Sequence, residues 1–280
     1  MKGRFFIKAI IILFFIPCIS NAQRNEFGGW IGGSTYFGDL NTNTSFRYTQ
    51  PVAGLYTRYN FDSRIAAKLS FSYGGVKGMD SASDYYFEQR RNLSFYSSIW
   101  ETEIQGEFNF LSYSSRNPKM KYSPYFLLGF GVFGFDPKTK FGDTEFNLQP
   151  IGTEGQGYPE YTANNPYKLT KPFWVIGGGF KWRVSKSFSM FGEAAVRKTF
   201  TDYLDDVSNV YADKLILQNE AGPLVVNLSD RSLELGGQPV GSTNKFRGDP
   251  TRNDNYFFFG VGFSFTINKY KCPFLFKEDY

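Results

Sequence analysis

The side chains able to carry chemistry are few in kind. Histidine is absent from all 280 positions, which removes the imidazole general base, the Ser-His and Cys-His nucleophile pairs, and the ordinary catalytic zinc or non-haem iron site. Carboxylates and cations remain, and nine of them recur at alternating positions in aromatic-rich segments: Arg58, Lys68, Lys181, Arg183 and Arg197, with Glu101, Glu103, Glu107 and Glu193. Five bases facing four acids suit mutual neutralisation better than turnover. Asp202, Asp205 and Asp206 form an acidic trio that lacks the spacing of a calcium loop, so a capped loop edge is preferred to a cation site. The string Gly28-Gly29-Trp30-Ile31-Gly32-Gly33 has neither the helix nor the lysine of a phosphate-binding loop. It reads instead as a glycine-dense strand that makes room for bulky neighbours. Gly152-Thr153-Glu154-Gly155-Gln156-Gly157 and Arg247-Gly248-Asp249-Pro250 read as turns. No catalytic, cofactor-binding or metal site emerges.

The elements that must position these charges are strands. Helical periodicity is nearly absent. Eight segments of ten or more residues alternate in character: Glu26 to Asp39, Gln50 to Phe61, Arg64 to Val76, Ser98 to Leu111, Ser123 to Phe135, Lys171 to Val184, Ser187 to Thr199, and Asn255 to Ile267. A membrane-crossing strand needs about 9–11 residues, and an even number of such segments separated by turn residues is the pattern of a bacterial outer-membrane barrel. In the last segment Phe257, Phe259, Val261, Phe263, Phe265 and Ile267 share one face, while Tyr256, Phe258, Gly260, Gly262, Ser264 and Thr266 share the other. Alternation alone fits a soluble sandwich equally well.

The charges favour the barrel. With the apolar face turned to lipid, all nine project inward, and an eight-stranded barrel has an interior just wide enough for side chains to fill. Charges buried there must be paired to be tolerated, so the expected lumen is a salt-bridged plug. The predicted fold is therefore all-β, an eight-stranded antiparallel up-and-down transmembrane barrel with long extracellular loops. The connections near Asp62-Ser63, Arg116-Asn117-Pro118-Lys119 and Ser185-Lys186 are short and read as periplasmic turns. Leu40 to Thr49, Lys77 to Ser97, Asp136 to Thr170 and Phe200 to Asp254 read as the extracellular loops. The apolar stretch Leu224-Val225-Val226 in the last of them is expected to extend strands above the bilayer.

A basic start (Lys2, Arg4, Lys8), an apolar run over Ala9 to Ile19 and the Ser20-Asn21-Ala22 ending predict a cleaved secretory signal over residues 1–22, with the barrel and a periplasmic tail over 23–280. Both termini of the mature barrel are then periplasmic and the compartment is the outer membrane. Pro17 argues against lipidation at Cys18, and Cys272 is the remaining cysteine. The formal charge is +5 (31 basic minus 26 acidic); without the leader's three bases it falls to +2 (28 minus 26), which gives no electrostatic case for nucleic acid. The mean hydropathy of −0.35 is unlike that of a helical membrane protein.

Several strings resemble the PorG family, the outer-membrane barrel component of the type IX secretion system. They are Glu26-Phe27-Gly28-Gly29 continuing to Tyr36-Phe37-Gly38-Asp39-Leu40-Asn41, the Gly152 to Gly157 loop, the run Arg197 to Ser208, and Arg247-Gly248 followed by Asn253-Asp254. The resemblance implies a non-enzymatic protein that anchors or helps assemble a periplasmic ring made of the lipoprotein PorK and its partner PorN, with no cofactor. Geometry nominates Asp62, Ser63, Arg116, Asn117, Lys119 and Lys186, with the tail residues Lys269, Lys271 and Lys277, as contacts for that ring. The alternative is a small-solute channel or transporter of the eight-stranded type. A barrel enzyme acting on lipid or peptide is disfavoured by the missing histidine.

Overall fold

A computed structural model of the chain describes residues 25–114, 120–161 and 165–266. Among them nine strands form: β1 (Asn25–Phe37), β2 (Gln50–Asn60), β3 (Ile65–Met79), β4 (Ser94–Asn109), β5 (Tyr122–Phe141), β6 (Thr144–Asn147), β7 (Thr170–Arg183), β8 (Phe188–Thr199) and β9 (Asn255–Thr266). Each pairs antiparallel with its neighbours. The β1–β9 and β4–β5 pairings close the ring. The barrel wall is thus β1-β2-β3-β4-β5-β7-β8-β9, a closed eight-stranded antiparallel barrel that leaves no free edge. β6 is a short addition that pairs with Lys138–Phe141 of β5, past the point where β7 leaves that strand.

Period-two side-chain geometry sorts the residues cleanly. Phe126, Leu128, Phe130 and Val132 are exposed on the outer wall, and Leu127, Gly129, Gly131 and Phe133 of the same strand point inward. Ile65, Leu69, Phe71 and Tyr73 on β3, and Phe259, Val261, Phe263 and Phe265 on β9, likewise lie outside. A soluble sandwich would show the opposite. Exposed Trp174 and Trp182 stand eight positions apart on β7, about 26 Å along the strand and about 20 Å after allowing for barrel tilt, the scale of a lipid-facing band between two aromatic girdles. No helix among the described residues is long and apolar enough to cross a membrane.

The β2–β3 and β7–β8 connections are tight and the β4–β5 connection modest, and all three lie at one end with the start of β1 and the end of β9. The four long connections gather at the other end. There they fold into a cap containing α1 (Tyr86–Arg91), α2 (Lys214–Ala221) and α3 (Pro223–Ser229). The Leu224-Val225-Val226 stretch lies in α3 and extends no strand, which corrects the sequence expectation. Pro223 at the first helical position fixes a helical φ and needs no backbone donor, and Gly222 before it takes φ 85°, a left-handed conformation open to glycine. The strands that do outgrow the expected span are β3, β4 and β5, which run to Met79, start at Ser94 and run to Phe141. Tyr36, Phe95, Phe133, Phe135, Phe173 and Tyr256 fill the lumen beneath the cap and form one core with Leu148, Leu204 and Val207 above it.

Candidate functional site

The lumen holds all nine charges nominated from the sequence. Arg58, Lys68, Glu101, Glu103, Glu107, Lys181, Arg183, Glu193 and Arg197 sit on inward positions of β2, β3, β4, β7 and β8, and the strand register stacks them in two layers. In the layer nearer the short turns, Glu107 accepts from Arg58 at 3.1 Å and from Lys181, and lies 3.9 Å from Lys68. Lys68 donates to Glu193 at 2.6 Å, and Tyr125 donates to the same carboxylate at 2.6 Å. In the next layer Arg197 donates to Glu101 at 3.0 Å and to Glu103 at 3.1 Å, with Tyr256 on Glu101 at 2.7 Å. Arg183 donates to the Ser114 carbonyl near the short-turn rim.

Glu26 is the member that sequence reading left out. Its carboxylate accepts from Arg58 at 2.8 Å and from Asn60 at 2.9 Å. Counting it, the lumen contains five acids and five bases. The signal was present, since Glu26 shares the parity of Trp30 and Tyr36 on β1, both inward. Aromatic faces complete the packing: Arg197 lies 4.5 Å from the Phe258 ring centroid and Lys181 4.5 Å from that of Tyr125. Ions at this burial carry a desolvation cost of several kcal/mol each, which the ion pairs and aromatic contacts of the lumen offset.

The cap is a second polar cluster, built by loops. Arg91 at the end of α1 donates to both oxygens of Asp80, at 2.8 and 2.7 Å, to the Asp39 carbonyl at 2.7 Å, and to the Arg247 carbonyl. Arg247 donates to Glu154 at 3.0 Å. Glu154 also accepts the backbone N–H of Ser208 at 2.9 Å and of Asn209 at 3.1 Å. Asp206 takes hydroxyls from Thr153 at 2.6 Å and Tyr167 at 2.7 Å. The Gly152 to Gly157 and Arg247-Gly248 strings are therefore more than turns. Gly152, Gly155 and Gly157 do adopt positive φ, and the loop they shape delivers Glu154 to Arg247.

Tyr36 Oη lies 2.5 Å from Asp205 and 2.8 Å from Asp254. A hydroxyl has one proton to donate, so it cannot satisfy two charged carboxylates at full strength at once. Burial, followed by the negative charge of nearby acids, holds both aspartates well above the usual carboxylate range. Burial likewise raises Asp39 and Asp206 to about 6, and Asp202 to about 8. Within the acidic trio Asp205 and Asp206 are buried core residues of the cap, and Asp202 is half-buried. No group of three or more ligating side chains among the described residues is arranged to hold a metal.

Of the residues nominated as partner contacts, Asp62 is exposed and shapes its own turn, its side chain accepting from the N–H of Arg64 at 2.6 Å and of Ile65 at 2.8 Å. The Ser63 carbonyl accepts from the Tyr113 N–H at 2.9 Å. Lys186 is exposed on the β7–β8 turn. Arg116, Asn117, Lys119, Lys269, Lys271 and Lys277 lie outside the described residues, as do the leader over 1–22 and Cys272.

The family described as "Domain of unknown function (DUF6089)" matches residues 4–219, and the chain belongs to it. Among solved structures the fold is similar to Ail, the attachment invasion locus protein of Yersinia pestis, at 9% identity and TM-score 0.40 over 86% of this chain and 96% of that one. It is also similar to Neisserial surface protein A, at 7% identity and TM-score 0.40 over 86% and 96%. The N-terminal β-barrel domain of Pseudomonas aeruginosa OprF matches at 11% identity and TM-score 0.35 over 87% and 97%. No curated protein matches the sequence.

Proposed function

We propose that this DUF6089 protein is a non-enzymatic outer-membrane barrel that anchors or helps assemble the periplasmic ring of the type IX protein secretion system. The observation that carries the first half of the reading is the occluded lumen. Among the described residues, ten charges, an aromatic layer and a folded cap fill the lumen, so a solute channel is disfavoured. What remains available is the outer wall and the two rims. The second half rests on the sequence strings that resemble the PorG family, several of which coincide with cap residues whose contacts are described above.

In this reading the short-turn end and both chain ends face the periplasm, and the ring lipoprotein PorK with its partner PorN binds there. Exposed Asp62 and Lys186 are the described residues best placed to meet it. Affinity purification of the tagged protein from envelopes solubilised in mild detergent tests the proposal. The PorK and PorN counterparts should co-purify in near-stoichiometric amount, and their reproducible absence from a preparation that retains the folded barrel overturns the role.

A further inference from the structure

The outer wall is not uniformly bulky. Across four paired strands, Val261, Ile31, Ala53 and Tyr73 form one continuous row, and on its long-loop side the wall is cut back at Gly75, while the Thr49 and Phe259 side chains cover Gly33. The result is an apolar groove of about 930 Å3 on the membrane-facing surface. Phe46, from the β1–β2 connection, folds down the same wall and packs edge-on against Phe37, Phe257 and Phe259, raising the β9 side of the groove.

The groove is polar at one end only. Gln50 lines it and also lines a second cleft of about 400 Å3 that contains Lys77, Tyr96, Lys140 and Glu145. Lys77 follows Gly75 by two residues on the same face of β3, and its ammonium lies 5.4 Å from the Tyr48 ring centroid. Lys138 sits 3.4 Å from Asp136 and 3.3 Å from Glu145. With Lys77 and Lys140 against Glu145, the charges lining the cleft leave one net positive charge, two minus one, and the neighbouring Lys138–Asp136 pair adds none.

A trough free of charge that runs from the apolar band to a cationic cleft just beyond it has the polarity profile of an anionic lipid standing in its leaflet. We infer that this surface is a specific site for a phosphate-bearing membrane lipid, with one acyl chain in the groove floored by Ala53 and Gly75 and the phosphate held by Lys77 and Lys140. A partner strand or helix would match the apolar trough but has no need of the charge at one end. The inference requires only that the barrel lies in a membrane, and it is independent of any ring contact.

Native mass spectrometry of the full folded protein in detergent tests it, with phosphatidylglycerol, zwitterionic phosphatidylcholine and inorganic phosphate as separate probes. Phosphatidylglycerol should be retained about tenfold better than phosphatidylcholine. The double variant K77A/K140A should bring it down to the phosphatidylcholine level. A53L and G75L should reduce retention of both lipids by filling the trough. A Cβ at Gly75 meets its nearest neighbours at 3.6 Å, an ordinary contact, and heat-modifiable gel migration verifies that each variant folds. Equal retention of the two lipids, retention unchanged in A53L and G75L, or inorganic phosphate bound as tightly as the lipid would each overturn the site. A dimer lost in A53L, with no lipid bound, assigns the groove to a second copy and overturns it as well.

Discussion

Lys68 on β3 and Glu193 on β8 meet at 2.6 Å although their strands stand on opposite sides of the eight-stranded ring. A side-chain pair can bridge that diameter only because the barrel is at the small end of its class. Tyr125 donates to the same carboxylate, and Lys68 also approaches Glu107 at 3.9 Å. The crossing pair is thus embedded in the network that holds Arg58 and Lys181.

Breaking that pair from one side should be costly. Lys68→Ala leaves Glu193 buried beside Glu107 with less compensation, and a loss of about 3–5 kcal/mol is expected. The paired replacement Lys68→Met with Glu193→Leu should lose far less, because no unpaired ion remains. Urea unfolding of the detergent-folded barrel, followed by heat-modifiable migration, compares the three proteins.

Glu107 contacts more cations than any other lumen acid described above: Arg58, Lys68 and Lys181. Glu107→Gln keeps the shape but leaves those cations short of one negative charge, so its stability loss should exceed that of Glu26→Gln, whose only ion partner is Arg58 among the pairs described. The same unfolding measurement ranks them, and equal losses would contradict the layered pairing.

The cap should come loose without the barrel opening. Arg247→Ala removes the cation paired with Glu154 and the donor to the Asp206 carbonyl, a change of about 3–5 kcal/mol for a buried pair, while the lumen network below is untouched. Limited proteolysis should show faster cutting between residues 200 and 254, with heat-modifiable migration retained.

Acidity should tighten the cap. Asp39, Asp202 and Asp206 ordinarily titrate near 3.8 and are raised here to about 6, about 8 and about 6. Groups whose folded pKa is raised contribute stability that is complete below the unfolded value and is lost as pH climbs through the folded one. Cap stability is therefore highest near pH 4 and falls between about 4 and about 8. Proteolysis with an acid-tolerant and a neutral protease, or hydrogen exchange corrected for its intrinsic pH dependence, should show protection in 200–254 declining across that window. Asp202→Asn should flatten the upper part of the decline. Protection that rises with pH contradicts the assignment.

The wall was legible in the sequence and the cap was not, for a physical reason. A lipid-facing strand must alternate along its whole length, so β9 displays Phe257 to Phe265 on one face with little ambiguity, and the charges of β4 follow by parity. Glu26 obeys the same rule but stands amid glycines, where alternation is faint. The cap obeys no local period. Arg247 and Glu154 are 93 positions apart, and Arg91 joins three loops through backbone carbonyls as well as Asp80. Nothing near Leu224-Val225-Val226 distinguishes a strand from a helix except Pro223, which favours the helix that forms.

The filled lumen is the claim that sets the proposed reading apart from a solute channel, and single-channel recording of the purified, folded barrel in planar bilayers addresses it most directly. The pairing of Lys68 with Glu193 beneath an intact cap predicts a silent membrane with no stable conductance steps. Reproducible ohmic steps whose size changes when Lys68 or Glu193 is neutralised would contradict it and return the barrel to the solute channels.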